Sequence, residues 1–349
     1  MIPLAKPDLT GNERKYLNEC IDTGYVTHAG RFEAAFENAF SKRFNTTALA
    51  TSSGTGALHL ALLSLGVGPG DEVIVPALTF GATASVVLAV GARPVIVDID
   101  AQTWGLDKNR LVGVLTKRTR AIIPVHIYGE DAGDFRQFGH PVIEDACEAL
   151  GMVPIRGNLA AYSFYGNKGL TTGEGGMLCG ELGNAAEWRD GGFDENYRHT
   201  VAGLNMRMSN MQAAVGLAQL ERFDEMLGQR LANAEAYNAS LAGKGKWLFC
   251  VETENPHALK AKLKEHGIDS RPVFTPLHLC PAFRVYGKGK YKVAEEVWSR
   301  HLALPTGPHV SPEQVQKIIG VISGYRHIRT ASVGGIKHAR PKRSDELHL

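Results

Sequence analysis

Lys168 stands in the segment Ser163-Phe164-Tyr165-Gly166-Asn167-Lys168-Gly169-Leu170-Thr171-Thr172-Gly173-Glu174-Gly175-Gly176 and is its only cation. A lysine amine held out of bulk water among glycines and small hydroxyls is a nucleophile that condenses with carbonyls to a Schiff base. The bland alternative is a solvated loop lysine, and the scarcity of neighbouring charge argues against it. Upstream, the strand-like run Val142-Ile143-Glu144-Asp145 ends in a carboxylate pair. Asp145 could keep a pyridine nitrogen protonated and so turn the ring into an electron sink; it could equally cap a helix beginning at Ala146. Glu148, one helical turn on, would face the same way. An amine and a carboxylate at strand ends are what pyridoxal phosphate (PLP) chemistry requires.

A third feature is Thr51-Ser52-Ser53-Gly54-Thr55-Gly56, which opens an apolar helix ending at Gly66. Amides and hydroxyls at the positive end of a helix bind phosphate, although the same residues would serve as a plain cap. Gly66-Val67-Gly68-Pro69-Gly70 follows a helix instead of opening one, so it reads as a turn. The Gly-Lys-Gly-Lys stretches at Gly243 and Gly287 lack the spacing of a nucleotide-binding loop.

The elements that must position these groups alternate. Thr10 and Glu13 predict a capping box for an N-terminal helix ending near Gly24. Runs at 73–76, 94–98, 121–125 and 141–145 read as buried strands. Small-residue helices lie between them, one at about 81–90 with Gly91 closing it. Continuous apolar strands separated by helices predict a mostly parallel central sheet covered by helices, an α/β fold. A long helix is expected from about Gln212 through Leu217, Leu220 and Phe223 toward Asn238. Beyond Lys244-Gly245-Lys246 the pattern predicts a smaller C-terminal α+β domain. The expected division is 1–230 for the large domain, 231–325 for the small one, and 326–349 for a basic, disordered tail.

Of the 349 residues, 44% are hydrophobic and 21% charged, and the net charge is +2. That balance gives no electrostatic case for nucleic acid or an anionic membrane as partner. No apolar run is long enough to span a bilayer. Five scattered cysteines without a CxxC pair predict neither a disulfide framework nor a metal site, and point to a reducing cytoplasm.

Taken in order, Ser53-Gly54-Thr55, Val75-Pro76-Ala77-Leu78-Thr79-Phe80, Pro124-Val125-His126-Ile127-Tyr128-Gly129, Glu144 through Ala149, Ser163 through Gly176, and Gly203-Leu204-Asn205-Met206-Arg207-Met208 resemble the DegT/DnrJ/EryC1/StrS sugar aminotransferases. The resemblance implies the fold of type I PLP-dependent transferases. It implies that Lys168 bonds to the cofactor and then carries a proton between the cofactor and sugar carbons. Asp145 would pair with the pyridinium nitrogen, Glu148 would lie near the ring hydroxyl, and Phe80 would stack on the ring. Ser53, Gly54, Thr55 and Ser163 would hold the phosphate, with Asn167 beside the lysine. Asn205 would reach the phosphate from a second subunit, so the site would be complete only in a homodimer. His126 and His278 are the expected sugar-nucleotide contacts. Val125 to Gly129 and Glu148 resemble the branch that aminates a GDP-linked 4-keto-6-deoxy sugar (GDP-4-keto-6-deoxymannose), with L-glutamate as donor and pyridoxamine phosphate in turnover.

Family members that dehydrate their sugar carry histidine where this chain has Lys168, so amination is the expected reaction over dehydration or lyase chemistry. Two segments, between Glu148 and Ser163 and between the long helix and Trp247, are shorter than the family's usual ones. That shortening leaves a non-catalytic scaffold as a rival reading.

Overall fold

The computed structural model describes residues 1–325; the expected tail, 326–349, lies outside the described residues. Seven strands build the large sheet: β1 (Ala48–Thr51), β2 (Glu72–Pro76), β3 (Arg93–Val97), β4 (Thr119–Ile122), β5 (Ile143–Asp145), β6 (Leu159–Ser163) and β7 (Gly176–Gly180). They form one group in the order β3-β2-β4 and another in the order β1-β7-β6-β5. Parallel bridges from Ile122 to Val142 and from Val125 to Asp145 join the two groups between β4 and β5. Pairing is parallel as expected for β2 with β3 and β4, and for β5 with β6. The exception is β7, antiparallel to both β6 and β1. Its reversal follows from the hairpin it makes with β6, and the loop of that hairpin carries Lys168.

The four expected strands are where the apolar runs place them, and their mostly buried residues fit a sheet covered on both faces. Gly24, Gly66 and Gly91 close their helices with positive φ of 74°, 65° and 79°. The Thr10–Glu13 capping box does not form. The Thr10 hydroxyl donates to Asp8 instead, and Asn12 takes the N-cap of the Glu13–Thr23 helix without a side-chain bond.

A helix at Arg31–Phe44 was not expected. Its stripe Phe32, Phe36, Phe40 recurs every four residues and is fully buried. The Phe36 ring lies 5.5 Å from Phe164 and the Phe40 ring 5.7 Å from Tyr162, so this helix floors the strand that leads into the lysine loop. Burying each ring contributes roughly 1.5–3 kcal/mol. The predicted long helix is two, Asn210–Glu221 and Phe223–Ser240. Arg222 leaves helical geometry between them, its guanidinium tied to Asp8 and Glu225.

Four short strands form the C-terminal antiparallel sheet: β8 (Gly243–Lys244), β9 (Phe249–Glu252), β10 (Arg271–Pro272) and β11 (His301–Leu304), in the order β10-β11-β9-β8. Helices Pro256–Glu265 and Pro312–Ser323 cover it with Leu259, Leu263, Val315 and Ile318. Trp247, Leu248 and Val273 from this region join the core of the large sheet. No helix among the described residues is long and apolar enough to cross a membrane.

Where β7 begins, backbone meets backbone: a Cβ on Gly176 would sit 2.5 Å from the carbonyl carbon of Ser53 and 2.6 Å from the Gly54 nitrogen. Neither neighbour can rotate aside. Gly176→Ala is expected to destabilise the fold by about 1–3 kcal/mol, read as a lower urea midpoint at unchanged slope. An unchanged midpoint would refute this packing.

Candidate active site

The loop between β6 and β7 is closed by its own hydrogen bonds. Phe164 N–H donates to Gly175 O (2.8 Å), Thr172 N–H to Phe164 O (2.9 Å), and Lys168 N–H to Tyr165 O (2.9 Å). Gly175 adopts φ 157°, and a Cβ there would lie 2.1 Å from the Thr172 hydroxyl, so the return of the loop requires glycine. This fold-back leaves the Lys168 side chain in the wall of a cavity of about 430 Å³, within the usual size of small-molecule sites (~300–1,000 Å³). Ser53, Gly54, Thr55, Phe80, Asp145, Glu148, Ser163 and Asn167 line the same cavity.

Lys168 Nζ lies 3.2 Å from Glu148 Oε1. The other oxygen of Glu148 accepts from the Tyr128 N–H (2.9 Å). Burial holds the Glu148 carboxyl above the usual carboxylate range, and the Lys168 ammonium beside it offsets only part of that rise. Asp145 ends β5. Its Oδ2 accepts from the Thr83 hydroxyl (2.8 Å), which in turn is 2.8 Å from the Thr79 hydroxyl. Its Oδ1 accepts from the Cys147 N–H (3.2 Å). The helix expected at Ala146 is a series of turns, so Asp145 caps a turn and still presents a carboxylate to the cavity. Between them sits Cys147, whose thiol burial pushes well above its ordinary value.

Helix Gly54–Ser64 points its first turn at the cavity. Ser53 is spent partly as its cap, its hydroxyl accepting from Gly56 N–H (3.0 Å). Gly54 and Thr55 belong to the turn whose amides have no intrahelical acceptor. A Cβ on Gly54 would sit 2.7 Å from Ser163 Cβ and 2.8 Å from Cys147 Sγ, so glycine lets the helix start press against the end of β6.

Three expected residues lie elsewhere. His126 is fully buried behind β5, its Nδ1 accepting from Ala132 N–H (3.2 Å) and its Nε2 3.4 Å from Glu144 Oε2. His278 stacks on Tyr291 (4.1 Å between centroids) and its Nε2 is 2.9 Å from Glu295, outside the cavity wall. Asn205 is exposed, bridged to Asp190, and does not line this chain's cavity.

The C-terminal region adds Trp247, Arg271 and Phe274 to the wall, none of which the sequence motifs singled out as site residues. The Phe274 ring stacks on Tyr128 (5.4 Å) and tilts against Phe80 (5.8 Å), which is 61% exposed at the mouth. Arg271 lies in the short strand β10 and Trp247 and Phe274 in irregular segments beside β9 and β10, where no local pattern marks them.

These residues fit PLP. Amides at a helix start suit the phosphate, Asp145 suits a protonated ring nitrogen, and Glu148 is an acceptor for a hydroxyl. Lys168 supplies the amine, and Asn167 Oδ1 is buried without a partner among the described residues, an acceptor left over for a ligand.

Residues 7–323 match the DegT/DnrJ/EryC1/StrS aminotransferase family. A GDP-perosamine synthase of Caulobacter vibrioides is 39% identical over 361 aligned positions, covering 92% of this chain and 97% of that protein. A DegT/DnrJ/EryC1/StrS aminotransferase from Brucella abortus superposes with a TM-score of 0.83 at 32% identity, over 90% of this chain and 95% of that one. Spr1654 of Streptococcus pneumoniae, solved in a PLP form and a pyridoxamine phosphate (PMP) form, superposes at 0.83 and 27% identity. The PLP form covers 91% of this chain and 97% of its own. With the lysine, the two carboxylates and the helix start gathered in one cavity, this chain belongs to the DegT/DnrJ/EryC1/StrS family and is a PLP-dependent sugar aminotransferase.

Proposed function

We propose that this enzyme exchanges the amino group of L-glutamate for the ketone oxygen of a nucleotide-linked 4-keto-6-deoxy sugar, GDP-4-keto-6-deoxymannose, in the cytoplasm. The products are 2-oxoglutarate and the 4-amino sugar. The observation that carries the amination is Lys168 Nζ in the cavity wall, 3.2 Å from Glu148 and in the same cavity as Asp145. The sugar assignment is supported by the relatives named GDP-perosamine synthase, at 39%, 35% and 33% identity. We further place a second copy of the chain at the site, supplying Asn205.

PLP, when bound, supplies an electron sink and carries the amino group between donor and acceptor. This chain's residues do the rest. Gly54, Thr55 and Ser163 would hold the phosphate, Asp145 the ring nitrogen, and Phe80 a ring face. Lys168 anchors the cofactor at rest and, once released, moves a proton at Nζ. Glu148 holds that amine close while its second oxygen stays fixed by the Tyr128 amide. The buried Trp247 ring, backed by Tyr128, lies against the amine and shields that side of it from water.

Three outcomes test this reading. Lys168→Ala should lower turnover by at least about 10²–10⁴-fold while protein remains folded; retained turnover refutes the role of Lys168. Asp145→Asn, nearly isosteric, should lose about 10²–10³-fold in kcat with sugar KM little changed. The PMP form, mixed with GDP-, UDP- and dTDP-linked 4-keto sugars, should change absorbance with the GDP sugar and give a product whose mass shows amination. Loss of water instead, or preference for another nucleotide, overturns the reaction or the sugar respectively.

A further inference from the structure

Arg230 is buried, and among the described residues it forms no ion pair; burial alone draws its guanidinium down to about 10. A buried charge without a counterion is costly and persists where its hydrogen bonds hold something in place. What Arg230 holds are two backbone carbonyls. It donates to Trp247 O (2.6 Å) and, more weakly, to Lys168 O (3.5 Å). The Trp247 indole N–H donates to Asn167 O (2.8 Å), one residue before the lysine. Trp247 N–H in turn donates to Tyr128 O (2.9 Å). The face of the same indole lies 4.0 Å, centroid to Nζ, from the Lys168 amine.

Trp247 is therefore tied to the lysine loop directly through its indole N–H and indirectly through Arg230, and its ring face lies against the amine, which also reaches Glu148. An aromatic face attracts an ammonium more strongly as water is removed, and Trp247 is 1% exposed. We propose that Trp247 and Arg230 are positioning residues which seat the Lys168 amine between the indole face and Glu148 whenever it is not bonded to the cofactor, and so set the rate at which it moves a proton. The proposal rests on Lys168 as the proton-carrying amine. It assigns a role to a segment about eighty residues downstream in the chain.

The test uses Trp247→Phe, Trp247→Leu and Arg230→Lys, with Lys168→Ala as reference. In apo-enzyme, Lys168→Met should alter tryptophan emission, and the alteration should vanish in the Trp247→Phe background. In cofactor-loaded enzyme, the single-turnover rate with L-glutamate should fall roughly 2–30-fold in Trp247→Leu. The kinetic isotope effect with α-deuterated glutamate should rise, and glutamate KM should stay within about twofold. Trp247→Phe keeps a ring and should fall between wild type and Trp247→Leu. Arg230→Lys, which keeps a charge but loses the fork, should reproduce the raised isotope effect. Should Trp247→Leu fail to fold, the Phe and Arg230→Lys variants carry the test alone. Folded, cofactor-loaded variants with an unchanged isotope effect, or apo-enzyme emission indifferent to Lys168→Met, overturn the clamp. A Lys168→Ala enzyme that keeps turnover overturns the role of Lys168 as well, so the two failures are distinguishable.

Discussion

Tyr128 sits at φ 53°, a left-handed conformation that a non-glycine residue holds only under constraint, at a cost of about 1–3 kcal/mol. The constraint is visible on every polar atom it has. Its amide supports Glu148, its carbonyl accepts from the amides of Lys246 and Trp247, and its hydroxyl accepts from the Phe274 amide. Its ring is sandwiched between Trp247 and Phe274. One residue thus ties the carboxylate beside the Lys168 amine to two segments of the C-terminal region. Straightening its backbone would release Glu148 and both aromatic neighbours together. The site is therefore one connected object, in which the acid, the lysine and the far wall share a hinge point.

How much of this could be read from the chain depends on how local each signal is. Lys168, Asp145 and the helix start at Gly54 each advertise themselves within a few residues, and the structure brings them to one cavity. Alternation along β5 is also local, but it does not say which of two adjacent acids faces the site: Asp145 does, while Glu144 turns to His126 on the opposite side. The stripe Phe32, Phe36, Phe40 is a local helical signal too, set in a stretch with no side-chain cap to mark where it begins. Trp247, Arg230 and Arg271 carry no such signal, because their roles arise from packing between segments far apart in sequence. The reversal of β7 is of the same kind: a five-residue apolar strand looks alike in either direction, and only its hairpin with β6 decides.

That reversal bears on how the enzyme comes into being. β7 lies between β6, its hairpin neighbour, and β1, which leaves the ribosome well over a hundred residues earlier. Contacts so distant along the chain form late, because the entropy of closing the intervening loop must be met before they return anything. The lysine loop closes with the β6–β7 hairpin, but Ser53, Gly54 and Thr55 follow β1 and come beside it only when β1 joins β7. A chain that has collapsed without that pairing has the amine and lacks the helix start opposite it. Cofactor capture then selects fully assembled molecules, and by mass action it draws the folding equilibrium toward them.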